Sequence, residues 1–278
     1  MSTPSRHSPL VIITRPRAQA ELLAAQLHQH QLSSFIFPLL EIQPLSDNNS
    51  LHQALAKLEQ FSLAIFISPT ATDIALKTYY ATTTTPWPIP IAVLGPGSIA
   101  SLERNGINTK QHQIISPATD PHNNDDQFDS EALLLALEKN GLNHSQLHGK
   151  RILLLRGHGG RKLLIDQLRQ AGAQLTVVEM YRRCSPTPSQ DTWQALKKTL
   201  TAHHYWLLTS VEAIKNLQKM RLSQPWLTLD TALVCHSRIA KAAHQAGFAQ
   251  QISINSNSNS LIDALQHLRF AGTQHNSP

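Results

Sequence analysis

Two halves of this 278-residue chain repeat one pattern of strand and helix, and that repeat restricts the fold more than any other feature. Residues 11–41 read as a buried strand (VIIT), a helix over Ala18–His30 and a second strand (FIFPLLEI). Residues 152–182 follow the same plan: strand ILLLR, helix Arg161–Gln170, a stop at Gly172, strand LTVVEMY. Laying Arg15 on Arg156 places Leu22, Leu23 and Leu27 on Leu163, Leu164 and Leu168, which predicts three core-facing leucines on each helix. Two more pairs follow. LAIFIS (63–68) before the helix TATDIALKTYY matches YWLLTS (205–210) before VEAIKNLQKM. IAVLG (91–95), with a helix ending at Gly106, matches ALVCHS (232–237), with a helix ending at Gly247. Continuous apolar strands are the kind covered on both faces, and their alternation with glycine-capped helices predicts an α/β fold with parallel sheets.

The halves are separated by PATDPHNNDDQFDS (117–130), read as a surface loop whose Ser130 caps a helix over Glu131–Lys139. The polar run SINSNSNS (253–260) precedes a final helix, Leu261–Phe270, and Gly272–Pro278 are expected to fray. Met1–Pro9 is polar, and the apolar stretch Leu10–Ile13 is too short for the core of an export signal. No apolar run approaches the roughly 18–20 residues that cross a bilayer. A cytoplasmic protein with no membrane partner is expected. Cys184 and Cys235 lie far apart without a Cys-x-x-Cys spacing, so neither a disulfide framework nor a thiolate metal site is expected. The formal charge of +6 favours an anionic partner, but Lys and Arg are scattered, without the basic stripe of a nucleic-acid binder. The fifteen histidines lack metal-ligand spacing: His28 and His30 alternate with Gln on a polar helix side, and His203-His204 precede a strand.

In open α/β sheets ligands bind beyond the carboxyl ends of the strands, where helix N-termini offer free N–H groups to anions. Here those turns are Thr14-Arg15-Pro16, Ser68-Pro69-Thr70, Gly95-Pro96-Gly97-Ser98, Arg156-Gly157-His158-Gly159-Gly160-Arg161, Thr209-Ser210 and His236-Ser237-Arg238. Any one hydroxyl reads equally well as an ordinary helix cap. Six such turns, three of them with Arg, point to anion binding. The RGHGG turn lacks the spacing of dinucleotide sites and of P-loops, although Glu179 stands about where a ribose partner would. There is no nucleophile elbow, and paired carboxylates are missing from the strand ends. Strong acid–base machinery is sparse.

The ordered set of segments resembles uroporphyrinogen-III synthase over nearly the whole chain. The resemblance rests on Thr14-Arg15-Pro16, on Phe66-Ile67-Ser68-Pro69-Thr70-Ala71, and on Gly95-Pro96-Gly97-Ser98 with Leu102 and Gly106. It continues through Leu155-Arg156-Gly157 with Gly160-Arg161, Leu164, Leu168 and Gly172, then Tyr181-Arg182, Leu208-Thr209-Ser210 and Ser237-Arg238-Ile239-Ala240. Ile67-Ser68 stands where the family has Thr-Ser, Ser98 replaces a Thr, and His236 occupies a turn where some members have Gly.

The resemblance implies two flavodoxin-like α/β domains with parallel sheets, joined by a two-stranded hinge. Domain one would combine 1–38 with 184–278, domain two would span 42–178, and the hinge strands would lie at about 36–44 and 176–185. A cleft between the domains would collect the strand ends. The implied substrate is hydroxymethylbilane, four pyrroles bearing eight carboxylates, and no cofactor or metal takes part. The terminal hydroxyl leaves as water, a spiro intermediate forms at ring D, and the ring closes with that ring inverted. Closure without inversion needs no catalyst, so the enzyme's main task is to hold the bilane in the inverting shape. The resemblance makes Tyr181 the proton donor to the departing hydroxyl, because a phenol is protonated at neutral pH. Arg15, Ser68, Thr70, Gly97, Ser98, Arg156, Gly157, Thr209, Ser210, Ser237 and Arg238 become substrate contacts. A monomer is expected, with transient hand-over of the bilane from the preceding pathway enzyme. The rival readings are a non-catalytic bilobal protein that binds an anionic small molecule and a nucleotide-dependent enzyme using RGHGG.

Overall fold

A computed structural model of the chain describes residues 10–117, 129–200, 204–254 and 261–267. Most of the loop expected at 117–130, the run 255–260, the end of the last helix and the fraying tail lie outside the described residues. The elements begin with β1 (Leu10–Ile13), α1 (Arg17–Gln29), β2 (Ser33–Ile36), β3 (Glu41–Pro44), α2 (Asn49–Leu55), β4 (Leu63–Phe66), α3 (Pro69–Tyr80) and β5 (Ile91–Val93). They continue with α4 (Pro96–Arg104), β6 (Ile114–Ile115), α5 (Ser130–Lys139), α6 (His144–Leu147), β7 (Arg151–Gly157), α7 (Leu163–Gln170) and β8 (Gln174–Cys184). The rest are α8 (Gln190–Thr199), β9 (His204–Leu208), α9 (Val211–Ser223), β10 (Thr231–Val234), α10 (Ser237–Ala246) and β11 (Gln250–Ser253), with residues 261–267 also helical.

The chain divides into two compact units, one holding residues up to Ile42 and from Cys184 onward, the other Gln43–Arg183. It passes between them twice, inside β3 and at the end of β8, and these two strands are neighbours in one sheet. The first unit has the strand order β11-β10-β9-β1-β2 with every neighbour parallel. The second has β3-β8-β7-β4-β5-β6, parallel from β8 to β6. Counting from β1 in one unit and from β7 in the other, both follow the flavodoxin order 2-1-3-4-5, with β3 added at one edge. The sequence repeat is thus a structural repeat, and the second unit simply enters it at the third strand.

Both faces of each sheet are covered, which is why the strands read as unbroken apolar runs. In β9, Trp206 and Leu208 join one core with Phe37, Ile214 and Leu217, while Tyr205 and Leu207 join another with Leu23 and Leu27. In the second unit Ile65, Ile152 and Leu154 pack with Leu133, Leu137, Leu164 and Leu168.

Several local expectations are corrected. FIFPLLEI is not one strand: β2 stops at Ile36, Phe37 and Leu39 donate to Ile13 O and Thr14 O around Pro38, and a new strand starts at Glu41. Pro38 has no N–H to continue the ladder, and Phe37, Leu39 and Leu40 are all buried instead of alternating. Leu23 and Leu27 face the core but Leu22 is 50% exposed, because it lies about 100° around the helix from Leu23. Asp129, not Ser130, caps α5, its carboxylate accepting from Ala132 N at 3.1 Å. The second-half helix starts at Leu163 rather than Arg161, after Gly159 and Gly160 at φ of 73° and 87°. His204 does not precede β9 but opens it, buried. The glycine stops hold: Gly106 and Gly247 adopt φ of 80° and 98° at the ends of α4 and α10.

Candidate active site

The 2-1-3-4-5 order creates a switch point between the first and third strands of each unit, where a crevice opens at the carboxyl ends. In the first unit those strands are β1 and β9. The Thr14 hydroxyl donates to Leu207 O and bridges them at that end. This leaves Arg15 at the head of the turn into α1 and Thr209-Ser210 opposite. Ser210 caps α9, accepting from Glu212 N at 3.1 Å and Ala213 N at 3.4 Å. Arg15 is partly buried and has no acid or hydrogen-bond partner among the described residues. Burial lowers its pKa, and the Cys235 thiol beyond β10 opposes that shift. Burial likewise raises the pKa of Cys235, with Arg15 pulling it back down. The two side chains therefore share one electrostatic environment. Farther along the same edge, the His236 ring accepts from Arg238 N at 3.0 Å and caps α10, leaving Ser237 and Arg238 exposed.

In the second unit the switch point lies between β7 and β4. Ser68 caps α3, accepting from Ala71 N at 3.1 Å, and its Oγ stands 2.8 Å from the Tyr181 hydroxyl. Thr70 lies half-buried in the first turn of α3. Next door, α4 begins after Gly95, with Gly97 exposed 3.1 Å (as a hypothetical Cβ) from Pro69 and Ser98 buried. Tyr181 is 5% exposed and sits on β8 beyond a bulge that pairs Arg156 with Glu179 but Gly157 with Tyr181. A bulge of this kind re-aims the side chain that follows it. Gly157 admits the ring: a Cβ there would stand 2.6 Å from Tyr181 Cε2 and Cζ.

Arg156 is buried, and two of its N–H groups are used within its own loop, Nε donating to Gly157 O at 3.1 Å and one terminal nitrogen to Arg161 O at 3.4 Å. The RGHGG turn is closed by Glu179. Gly159 N donates to its carboxylate at 3.3 Å and His158 Nδ1 lies 2.7 Å from it. A carboxylate already occupies the N–H group that a phosphate would need, and like charge would repel one. The spacing that suggested a ribose partner therefore marks a loop latch.

The structure thus gathers Ser68, Thr70, Gly97, Ser98, Arg156, Gly157 and Tyr181 at the strand ends of one unit and Arg15, Thr209, Ser210, Ser237 and Arg238 at those of the other. One network escaped the sequence. Asp73 on α3 accepts from the Ser101 hydroxyl and from Asn105 Nδ2 at 3.0 Å, with Arg104 3.4 Å away, and so ties α3 to α4. Its members lie about thirty residues apart, and no local pattern marks such a contact. Among the described residues no group of three or more His, Cys, Asp or Glu could hold a metal ion, and no helix is long and apolar enough to cross a membrane.

The family model described as "Uroporphyrinogen-III synthase HemD" matches residues 21–263. The chain belongs to the uroporphyrinogen-III synthase family. It is 28% identical over 264 residues to the uroporphyrinogen-III synthase of Escherichia coli, covering 92% of this chain and 99% of that one. Against the enzyme of Proteus mirabilis it is 31% identical over 173 residues, 62% of this chain and 79% of the relative. Uroporphyrinogen-III synthetase from Helicobacter pylori has the same fold at a TM-score of 0.52 and 14% identity, over 94% of this chain and 99% of that chain. A mutant uroporphyrinogen III synthase from Thermus thermophilus gives 0.51 and 14%, over 93% and 98%. Membership of the uroporphyrinogen-III synthase family makes the chain an enzyme of haem biosynthesis, a cyclising lyase.

Proposed function

We propose that this chain converts hydroxymethylbilane to uroporphyrinogen III, with loss of water and inversion of ring D. The family match over 21–263 carries the reaction. The observation that gives it a chemical centre is the Tyr181 hydroxyl, 2.8 Å from Ser68 Oγ at the N-terminus of α3. Tyr181 gives its proton to the hydroxyl that leaves as water, and the pyrrole nitrogen supplies the electron pair that expels it. The resulting methylene-pyrrolenine bonds to the substituted carbon of ring D. The spiro intermediate then breaks its old bond at that carbon, leaving a second methylene-pyrrolenine on ring C; this bonds to the free carbon of ring D with the ring reversed, and the proton lost from that carbon returns to the Tyr181 phenolate.

Arg15, partly desolvated and without an acid or hydrogen-bond partner among the described residues, is the best-supported carboxylate contact, since an anion would supply such a partner. Helix starts at Ser68-Thr70, Gly97-Ser98, Thr209-Ser210 and Ser237-Arg238 offer N–H groups and hydroxyls to further carboxylates, and Gly157 leaves room for Tyr181. Arg156 is best placed to hold the Gly157–Arg161 turn. The two units act as domains that the paired strands β3 and β8 join as a hinge. The reading includes a cytoplasmic monomer that receives the bilane from the preceding enzyme; light scattering should give the mass of one chain, and a larger mass would defeat the monomer.

Supplied with hydroxymethylbilane, the protein should yield isomer III faster than the spontaneous closure yields isomer I. Isomer I alone, at the uncatalysed rate, defeats the proposal. Tyr181→Phe should slow turnover about 100-fold or more, while circular dichroism stays unchanged. Undiminished turnover in that variant removes the acid role.

A further inference from the structure

Tyr181 is held from three sides. Ser68 Oγ meets its hydroxyl at 2.8 Å. Gly157 lies against its ring, so closely that a Cβ would stand 2.9 Å from the hydroxyl oxygen itself. His158 N donates to its backbone carbonyl at 2.6 Å. Two of these three restraints come from the last residue of β7 and the turn it leads into, so the position of the phenol depends on the shape of that turn.

A turn with Gly159 and Gly160 both at positive φ has little intrinsic reason to keep one shape. It is fixed from two sides. Arg156 draws Gly157 O and Arg161 O toward its guanidinium. Opposite, Glu179 receives Gly159 N at 3.3 Å and His158 Nδ1 at 2.7 Å. Glu179 stands on β8 two residues before Tyr181, on the other side of the bulge. The same strand therefore carries the phenol and the carboxylate that clasps the turn against it. No element of the substrate-binding set calls for this carboxylate. An acid near a polyanion's binding edge even carries an electrostatic cost, so its place there needs a reason of its own.

We infer that Glu179 is a positioning residue for Tyr181, acting through His158 and the 157–160 backbone; the inference rests on the role proposed for Tyr181. Removing the clasp frees the turn and lets the phenol drift from its donor position. A drift of about 1 Å at a reacting group costs up to about 100-fold in rate. Capture of the bilane, which other helix starts provide, is little affected.

The test is a double-mutant cycle in the full chain, assayed by formation of isomer III from hydroxymethylbilane. Glu179→Ala should lower kcat about tenfold or more, with KM changed less than about twofold. Glu179→Gln, whose amide oxygen still accepts from Gly159 N, should recover part of the loss. Combined with Tyr181→Phe, Glu179→Ala should cost nothing further, because the group it positions is gone. Thermal melting of each variant checks folding, and the Gln variant serves if the Ala variant does not fold. Full kcat in both Glu179 variants, or losses that multiply in the double variant, overturn the inference while a slow Tyr181→Phe leaves the acid role standing. Full turnover in Tyr181→Phe defeats both.

Discussion

Arg15 shows how one residue's surroundings separate a structural from a binding role. Its neighbour Arg17 pairs with Glu21 at 3.7 Å on an exposed helix face, a contact worth little. Arg15, at the strand end, has no acid partner among the described residues; burial lowers its pKa and Cys235 works against the shift. The converse follows for the thiol: burial raises the Cys235 pKa and Arg15 holds it down. Arg15→Gln, in a Cys184→Ser background, should move the pH profile of Cys235 alkylation upward, and an unmoved profile would show that the pair is not coupled. The same variant should raise KM roughly tenfold while the unfolding free energy changes far less, since a hydrogen bond to a charged group contributes about 1.5–3 kcal/mol. Equal loss of binding and stability would make Arg15 a structural residue. The Thr14-Arg15-Pro16 turn was legible in the sequence as an anion-binding start. That Arg15 has no partner among the described residues while Arg156 donates to its own loop was not, because both hold the same position in the repeat.

At the scale of elements, the strand-to-helix turns matter because each helix start must be held in place. Ser68 and Ser210 do this locally, as caps, and the sequence announces both. Holding α3 and α4 together is a tertiary matter, carried by Asp73 with Ser101 and Asn105. Ser101 is fully buried, although its hydroxyl also reaches Pro69 O at 3.2 Å. Asp73→Ala should therefore destabilise the protein by about 1–2 kcal/mol, the cost of losing charge-assisted bonds with one partner retained. Asp73→Asn, which keeps an acceptor oxygen, should lose less. Urea unfolding measures both, and an unchanged midpoint in the Ala variant would reduce the network to a surface contact. Sequence periodicity placed α3 and α4 correctly, yet it missed the break at Pro38 within FIFPLLEI. A long apolar run can be one strand or a strand followed by buried irregular chain, and hydrophobicity is the same in either case.

Among the described residues, three acids that are buried or partly buried respond to alkali in the same direction. Burial raises the pKa of Tyr79, of Tyr205 and of Cys235. In the unfolded chain a thiol ionises near pH 8.5 and a phenol near pH 10. Each group therefore stabilises the fold fully below those values, and its contribution is lost as pH rises through the higher folded value. The thermal midpoint should stay level from neutrality to about pH 8.5 and fall above about pH 9–10. Tyr205→Phe should flatten the upper part of that fall. A midpoint that keeps its neutral value to pH 11 would contradict the assignment of these groups as desolvated.

What the sequence alone determined was the plan: two runs of the same βα pattern, parallel sheets covered on both faces, and anion-suited turns at strand ends. These depend on short-range periodicity and on the chemistry of single turns, which the order of residues records directly. The tertiary structure decided which strand neighbours which, and with that the switch points where Arg15 faces Thr209-Ser210 and Ser68 meets Tyr181. It also decided that Glu179 latches a turn instead of binding a ribose, and that Asp73 joins two helices. Such contacts join residues from 20 positions apart, at Glu179, to 193 positions apart, where Thr14 meets Leu207, and at those separations it is packing of the strands, not local preference, that fixes who touches whom.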